Sequence, residues 1–504
     1  MANTMSKKEA LYQKKVANRK LGSSLEFTTA RLGYQVSMAL ALVFAFFARK
    51  GNPVWLGVTA VYAVAFLLQY FICKRIVKEV TGDENAVSPA TRKMGWVLLP
   101  FVFSGNFFLF ISGCMLIKNK KNLEYQLSVY SVLVSIFIIV VSMLNLFKDK
   151  QAKTFWMGIG VYALYTVLNV IVMQAVRKYT YGKKPDKKFL PFAYISVAGI
   201  ALGNVFSFLL GIVALGKYYN KNEEVNVEWI DVIRRLFKNY MSCIGMFIVI
   251  FLLSVSVASN LTFDYAIAID NNFATRLAPP SLMYPFGCDD YGRCVFTRII
   301  FGAQISLLVG MISTIMPCII GGMLGAIAGY YGGKTDNMIM RTLDVLNAVP
   351  SILLAIAIIA AFGTSTVNLL LALSIGGIPG YARTVRAQVL GVANQEFVEA
   401  AKACGAKDGT IILRHIIPNS LAPVIVRVTM GMGSAVLSTS SLSYLGIGVE
   451  AHIPEWGNIL KAGSKFLEKA PYIAIFPGIA IVIIVLAFNF FGDGLRDALD
   501  PKLK

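Results

Sequence analysis

The sequence predicts an all-α protein that crosses a membrane many times, and three observations predict it. Hydrophobic residues make up 56% of the 504 positions and charged residues only 15%, with a mean hydropathy of +0.64. The apolar residues gather in runs of roughly 20, the length a helix needs to cross a bilayer with its backbone satisfied. The Lys and Arg residues behind the net charge of +21 sit mostly in short connections between those runs. There they orient helices and meet anionic lipid; they form no basic groove pattern for nucleic acid.

Taken in order, the spans fall at 32 to 48, 54 to 73, 95 to 117, 127 to 147, 154 to 176, 190 to 216, 241 to 259, 300 to 329, 345 to 362, 366 to 382, 420 to 445 and 472 to 492. Residues 1–30 are polar and basic, with Lys7, Lys8, Lys14, Lys15, Arg19 and Lys20. They lack the apolar core and small-residue site of a cleavable signal peptide, so this segment is expected to stay in the cytoplasm. The polar stretch Lys217 to Asn239 carries Glu223, Glu224, Glu228, Asp231, Arg234 and Arg235 and parts the spans into two blocks of six. The expected organisation is a basic segment 1–30, an accessory membrane block 31–220, a cytoplasmic linker 221–240 and a second membrane domain 241–504.

Counting positive charge puts Lys74, Arg75, Lys78, Arg92 and Lys93 inside, then Lys148, Lys150 and Lys153, then Lys217, Lys221, Arg234, Arg235 and Lys238. Both termini are then cytoplasmic. The loop with Arg177, Lys178, Lys183, Lys184, Lys187 and Lys188 falls outside and conflicts with the same rule. The first block carries a faint internal echo: Tyr34-Gln35-Val36-Ser37 against Tyr125-Gln126-Leu127-Ser128, and Leu99-Pro100-Phe101 against Leu190-Pro191-Phe192. Either a three-helix unit is duplicated in opposite orientations, or apolar segments of biased composition coincide. The register break at Trp55 and Trp156 favours coincidence. No ionisable residue lies deep in these six helices, so nothing there marks an ion path.

The second block carries its information in its loops. A helix over Glu396 to Cys404 groups Phe397, Ala400, Ala401 and Cys404 on one face and turns Glu396, Glu399 and Lys402 elsewhere. Small residues at Ala400 and Ala401 permit close approach by a partner. Gly405 can take the left-handed conformation that ends a helix, and Pro418 restricts the chain before the next span. On these residues alone, the segment is either a docking element or an interfacial helix lying on lipid headgroups.

Resemblance decides between these. Residues from about 235 to 504 resemble the C-type permease subunit of the dipeptide, oligopeptide and nickel class of bacterial ABC importers. The shared stretches run in order: Gly329-Tyr330-Tyr331-Gly332-Gly333; Arg341 to Pro350; Tyr381 to Gln388; Glu399-Ala400-Ala401 with Gly405 and Pro418; Leu442 to Gly446; Pro454 to Asn458; and Phe490 to Pro501. The first 220 or so residues resemble no such family.

The resemblance implies a type I ABC importer fold of six helices over 241–504, with a coupling loop at 395–418. Glu399, Ala400, Ala401, Gly405 and Pro418 then engage an ATPase. It further implies a second permease subunit forming a heterodimer, two ATPase subunits that bind ATP and magnesium, and an extracellular, lipid-anchored or periplasmic binding protein. The ligand is a peptide, with oligopeptide favoured over dipeptide or nickel, and the site is the cell membrane. Glu399 either pairs with a basic residue or backbone amides of the ATPase, or is a solvated charge. A scaffold that kept the fold and lost transport is the alternative function.

Ala328 to Thr335 fits a loosened phosphate-loop pattern, yet it follows a membrane helix rather than a strand, so it reads as a tight turn. The two histidines, His415 and His452, sit in the coupling loop and near Trp456 and read as structural. No metal cluster, cofactor site or catalytic constellation is legible, so no enzyme activity is expected of this chain. Where the family usually reads Gly-Thr-Asp, two residues, Gly-Arg-Asp, this chain has Gly287-Cys288-Asp289-Asp290-Tyr291-Gly292-Arg293-Cys294. Two departures to cysteine in an outer loop read either as a disulfide between Cys288 and Cys294 or as two free thiols.

Overall fold

The computed structural model describes residues 21, 24–48, 53–81, 87–118, 122–148, 150–180, 184–219, 227–237 and 239–500. The basic segment with Lys7 to Lys20, most of the linker including Glu223 and Glu224, and Lys183, Lys221 and Lys238 lie outside these residues. Helices dominate throughout the described residues; the one β pairing among them is an isolated bridge between Cys288 and Cys294. Among the described residues, seven helices are long and apolar enough to cross a membrane, or eight if the bent pair Gly333–Ala348 and Ser351–Phe362, which meet at 80°, makes one crossing.

The chain divides into two compact units that do not follow chain order. One comprises residues 1–133, 166–198 and 206–230, and the other 134–165, 199–205 and 231–504. The boundary therefore differs from the clean break expected near 221–240: part of the extra membrane segment belongs to the unit that holds 241–504.

Two expected spans are not spans. Residues 95–117 fold back on themselves: the chain turns at Gly105 (φ 79°) into the helix Phe107–Ile117, and a Cβ on Gly95 would lie 2.8 Å from the carbonyl oxygen of Gly113. Residues 190–216 do the same around Gly203 (φ 77°), leading into the helix Val205–Tyr219. Glycine is needed at both tips because a side chain is strained at positive φ.

The two hairpins repeat internally. Asn106 Nδ2 donates to Ser37 Oγ at 2.7 Å, and Asn204 Nδ2 to Ser135 Oγ at 3.2 Å. Tyr62 Oη donates to the Ser104 carbonyl at 2.8 Å, and Tyr162 Oη to that of Leu202 at 3.3 Å. A duplicated unit of two long helices and a hairpin is thus present, with an offset of about 98 residues, the separation of Asn106 from Asn204. The echo that matched Tyr34 to Tyr125 and Leu99 to Leu190 has an offset of 91 and does not follow this repeat.

Within the second unit, residues 134–165 and 199–205 pack on the helix Tyr240–Thr262. Ser142 Oγ donates to Thr262 Oγ1 (3.0 Å), Asn145 Nδ2 to the Thr262 carbonyl (3.0 Å) and Thr154 Oγ1 to that of Leu261 (2.8 Å). Ser254 Oγ donates to the Gly203 carbonyl (2.7 Å), and Phe137 meets Phe251 edge-on at 5.6 Å. Lys148 Nζ donates to Thr297 Oγ1 at 2.5 Å. The loop holding Lys148, Lys150 and Lys153 therefore lies at the start of the helix Val295–Tyr331, the end away from the coupling loop. The expectation that these three lysines share a side with that loop is corrected.

Candidate coupling site and pathway cavity

The coupling element is built from three segments. The helix Glu396–Ala403 starts from Gln395, and Gly405 closes it at φ 76°. Its buried contact is Val398, fully covered and packed with Ile411, Ile412, Ile416, Val385 and Val389, with Ala401 and Ala406 partly buried beside it. Phe397, Ala400 and Cys404, expected to share a face with Ala401, stay exposed, as do Glu396, Glu399 and Lys402. The sequence reading thus chose the wrong inward face: Val398 holds the helix down and Phe397, 37% exposed, is left outward.

The second segment is the tyrosine pair at the end of Val295–Tyr331. Tyr330 Oη donates to Asp408 Oδ1 at 2.7 Å and Tyr331 Oη to Oδ2 at 3.4 Å, while Lys402 Nζ lies 5.0 Å from the centre of the Tyr330 ring. Gly329 to Gly333 is therefore the anchor of the coupling loop. The helix there runs to Tyr331 and resumes at Gly333, with no strand before it, as the tight-turn reading requires.

The third segment is the exit. One helical run continues from Asp408 to Leu445, with a π-turn over Ile412–Ile416. Pro418 sits in the first turn of Ile417–Leu445, where its missing N–H matters least. Pro418 therefore does not break the chain before the span. His415 lies in the π-turn and donates no side-chain bond there; its carbonyl accepts from Asn419 Nδ2 at 2.6 Å.

The same continuous helix carries one wall of a cavity of about 1230 Å³, lined by residues of Val295–Tyr331, Thr366–Val392, Ile417–Leu445 and Tyr472–Leu499. Arg427, in the middle of an apolar run, lines it; sequence reading passed over this residue. The signal that identifies it is an arginine ten residues inside a spanning helix.

Two buried carboxylates lie near the start of the helix Val295–Tyr331. Asp289 accepts the backbone N–H groups of Tyr291 and Arg293 at 2.9 Å each, pairs with Arg293 at 2.8 Å, and has Arg298 at 3.7 Å. Cys288 and Cys294 face each other across this turn in an isolated β-bridge, and both are fully buried. Burial first, and the neighbouring thiol second, push Cys288 up to about 12. Lys148, whose own pKa burial lowers, lies against both. Glu455 caps the helix Trp456–Ser464: Oε2 accepts the N–H groups of Gly457 (2.8 Å) and Asn458 (3.2 Å), and Oε1 accepts the hydroxyls of Ser440 (2.8 Å) and Ser306 (3.2 Å). Trp456 Nε1 donates to the Ile299 carbonyl at 2.9 Å. The connection between the spans 420 to 445 and 472 to 492 thus holds a short, largely buried helix. Among the described residues, no group of three His, Cys, Asp or Glu side chains is arranged to hold a metal.

Residues 321–504 match the binding-protein-dependent transport system inner membrane component family, and 228–280 match the N-terminal transmembrane domain of oligopeptide transport permease C. The dipeptide transport system permease protein DppC of Alkalihalophilus pseudofirmus is 45% identical over 276 residues, which are 55% of this chain and 90% of that protein. The glutathione transport system permease protein GsiD of Escherichia coli O6:K15:H31 is 42% identical over 284 residues, 56% of this chain and 94% of that protein. The chain belongs to the C-type permease subunits of the peptide class of ABC importers. It is a multi-pass membrane permease subunit, with a further membrane segment before the matched region.

Proposed function

We propose that the chain is half of the translocation pathway of an ATP-driven importer of peptides, oligopeptides first, and that separate ATPase subunits move its segment 395–418. The observation that carries the reading is the coupling helix, held to the permease through Val398 and Asp408 while Phe397, Glu399, Ala400 and Cys404 remain free for a partner. Two relatives named for dipeptide and glutathione favour a peptide over nickel. ATP and magnesium belong on the ATPase chains. A second permease subunit completes the pathway, and a lipid-anchored or periplasmic binding protein delivers the ligand.

Closure of the ATPases would push Glu396–Ala403 as a lever. One path runs through Asp408 to Tyr330 and the helix Val295–Tyr331; the other runs up the continuous helix 408–445 to the cavity wall. A cytoplasmic coupling helix leaves Lys148 to Lys153 and residues 260–298 outside. One crossing later, Arg177 to Lys188 come inside, which removes the conflict with the positive-charge rule, and both termini are cytoplasmic.

Outside the membrane, Cys288 and Cys294 would lose two protons and two electrons to a disulfide oxidant and join as one S–S bond. Intact-mass analysis of unreduced protein from its native membrane is expected to show both thiols consumed; two alkylatable thiols would refute the bond. Free Cys288, held near pKa 12, alkylates far more slowly than exposed Cys404, so the assay must include a denaturing step.

The transport reading is tested by copurification with two ATPase subunits and reconstitution with the binding protein. Glu399→Arg, at an exposed position, and Gly405→Pro, at a positive φ, are expected to abolish ligand-stimulated ATP hydrolysis and uptake of trialanine. Full coupling in Glu399→Arg would contradict the lever. A chain that copurifies with no ATPase would be a scaffold.

A further inference from the structure

Arg427 lies about 15 Å along its helix from Ile417, at the 1.5 Å rise of an α-helix. There its exposed guanidinium faces the cavity, and an ionisable residue inside a spanning helix marks a functional site by default. The neighbouring arginines on Thr366–Val392 are accounted for by carboxylates: Arg383 pairs with Asp344 at 2.7 Å and Arg386 with Asp336 at 2.5 Å. Arg427 has no carboxylate within ion-pair distance among the described residues. Its Nη1 donates to Thr384 Oγ1 at 2.8 Å, and its guanidinium lies 5.3 Å from the centre of the Tyr381 ring. These contacts fix the plane of the group and use one of its five donors.

The surroundings are shaped to hold it there. Gly380 is the residue the guanidinium approaches: a Cβ at that position would stand 2.6 Å from Nη2. The head group is exposed to a cavity with hydroxyls from Ser313, Thr314, Ser434 and Ser438 in its lining. The lining's other charged groups, Arg496 and Asp500, lie in the last turn of the helix Tyr472–Leu499 and just past its end. A planar, permanently charged fork with free donors is the side chain best matched to a carboxylate.

We propose that Arg427 is the anion-recognition residue of the pathway and binds the C-terminal carboxylate of the peptide as it passes. This rests on the transport reading and names the group on the ligand that the cavity selects. An unblocked peptide always presents that group, whatever its side chains, so one fixed arginine serves ligands of varied sequence.

The test uses the full complex in proteoliposomes with wild-type chain, Arg427→Gln and Arg427→Lys, each offered trialanine and trialanine amide. Loading by the binding protein is common to all variants, so the ratio of acid to amide uptake, compared with wild type, isolates this chain. Arg427→Gln is expected to lower that ratio about tenfold, the size of one lost charge-assisted contact, and Arg427→Lys to restore part of it. An equal loss for both peptides, or failure of Arg427→Gln to copurify with the second permease subunit, would overturn the proposal in favour of a structural role. Absence of wild-type uptake of either peptide, with assembly intact, would instead overturn the transport reading and this inference with it.

Discussion

At one end of the permease unit Asp289, Glu455 and Trp456 are each 1% exposed or less, and each spends its polar atoms on bonds within the chain; at the other end, Glu396–Ala403 buries Val398 and leaves most of its side chains outside. At the first end the carboxylates of Asp289 and Glu455 are satisfied within the chain. The second is a surface whose shape is fixed by a few anchors, Val398, Asp408 and Tyr330, and whose outer face is left for another molecule. The difference teaches where rigidity is needed: a lever must be stiff at its root and unoccupied at its tip.

Substitutions break this contrast in a defined order. Asp289→Ala leaves Arg293 and Arg298 buried without their carboxylate and is expected to cost about 3–5 kcal/mol, read as loss of folded protein in detergent. Asp289→Asn, which keeps the amide acceptor, should cost less. Glu455→Ala strips the cap from Trp456–Ser464 and two hydroxyl contacts, for roughly 2–4 kcal/mol, read as a lower unfolding temperature. Tyr330→Phe removes one exposed hydrogen bond to Asp408, about 0.5–1.5 kcal/mol at most. It should leave the unfolding temperature nearly unchanged while weakening coupled hydrolysis; an equal effect on both would mean that the anchor is not specific to coupling.

The smallest effect is one of pH. Burial raises the pKa of the Asp290 carboxyl, and the adjacent Asp289 raises it further. A carboxyl whose folded pKa stands above its unfolded value of 3.8 favours the folded state when protonated, so it subtracts stability once the pH passes through that window. Asp290→Asn should raise the unfolding temperature slightly at pH 7, and the gain should vanish as the pH approaches 4. An unchanged gain at low pH would show that the effect is not the titration of this group.

The long helices were legible because length and hydropathy determine what can cross a bilayer. Residues 95–117 and 190–216 passed the same length rule and still fold back. Their signal was local: Gly105-Asn106 and Gly203-Asn204 put a left-handed turn and a polar amide in the middle of an apolar run. The repeat itself was not read from the sequence: Tyr34 and Tyr125 match by composition, whereas Ser37 and Ser135 match by the bond each receives. The coupling segment was located from its motif, yet its inward face was not, since the partner of Val398 is a cluster assembled from three other segments. Arg427 needed no structure to be noticed; its role needed the cavity and the distances to Asp344 and Asp336 that set its neighbours apart.

The central claim, that the free face of Glu396–Ala403 is covered by an ATPase, is tested most directly by labelling the exposed native Cys404 with maleimide in the assembled complex and in the permease stripped of ATPase. Protection in the complex and rapid labelling after stripping are predicted. Equal labelling in both states would contradict the account.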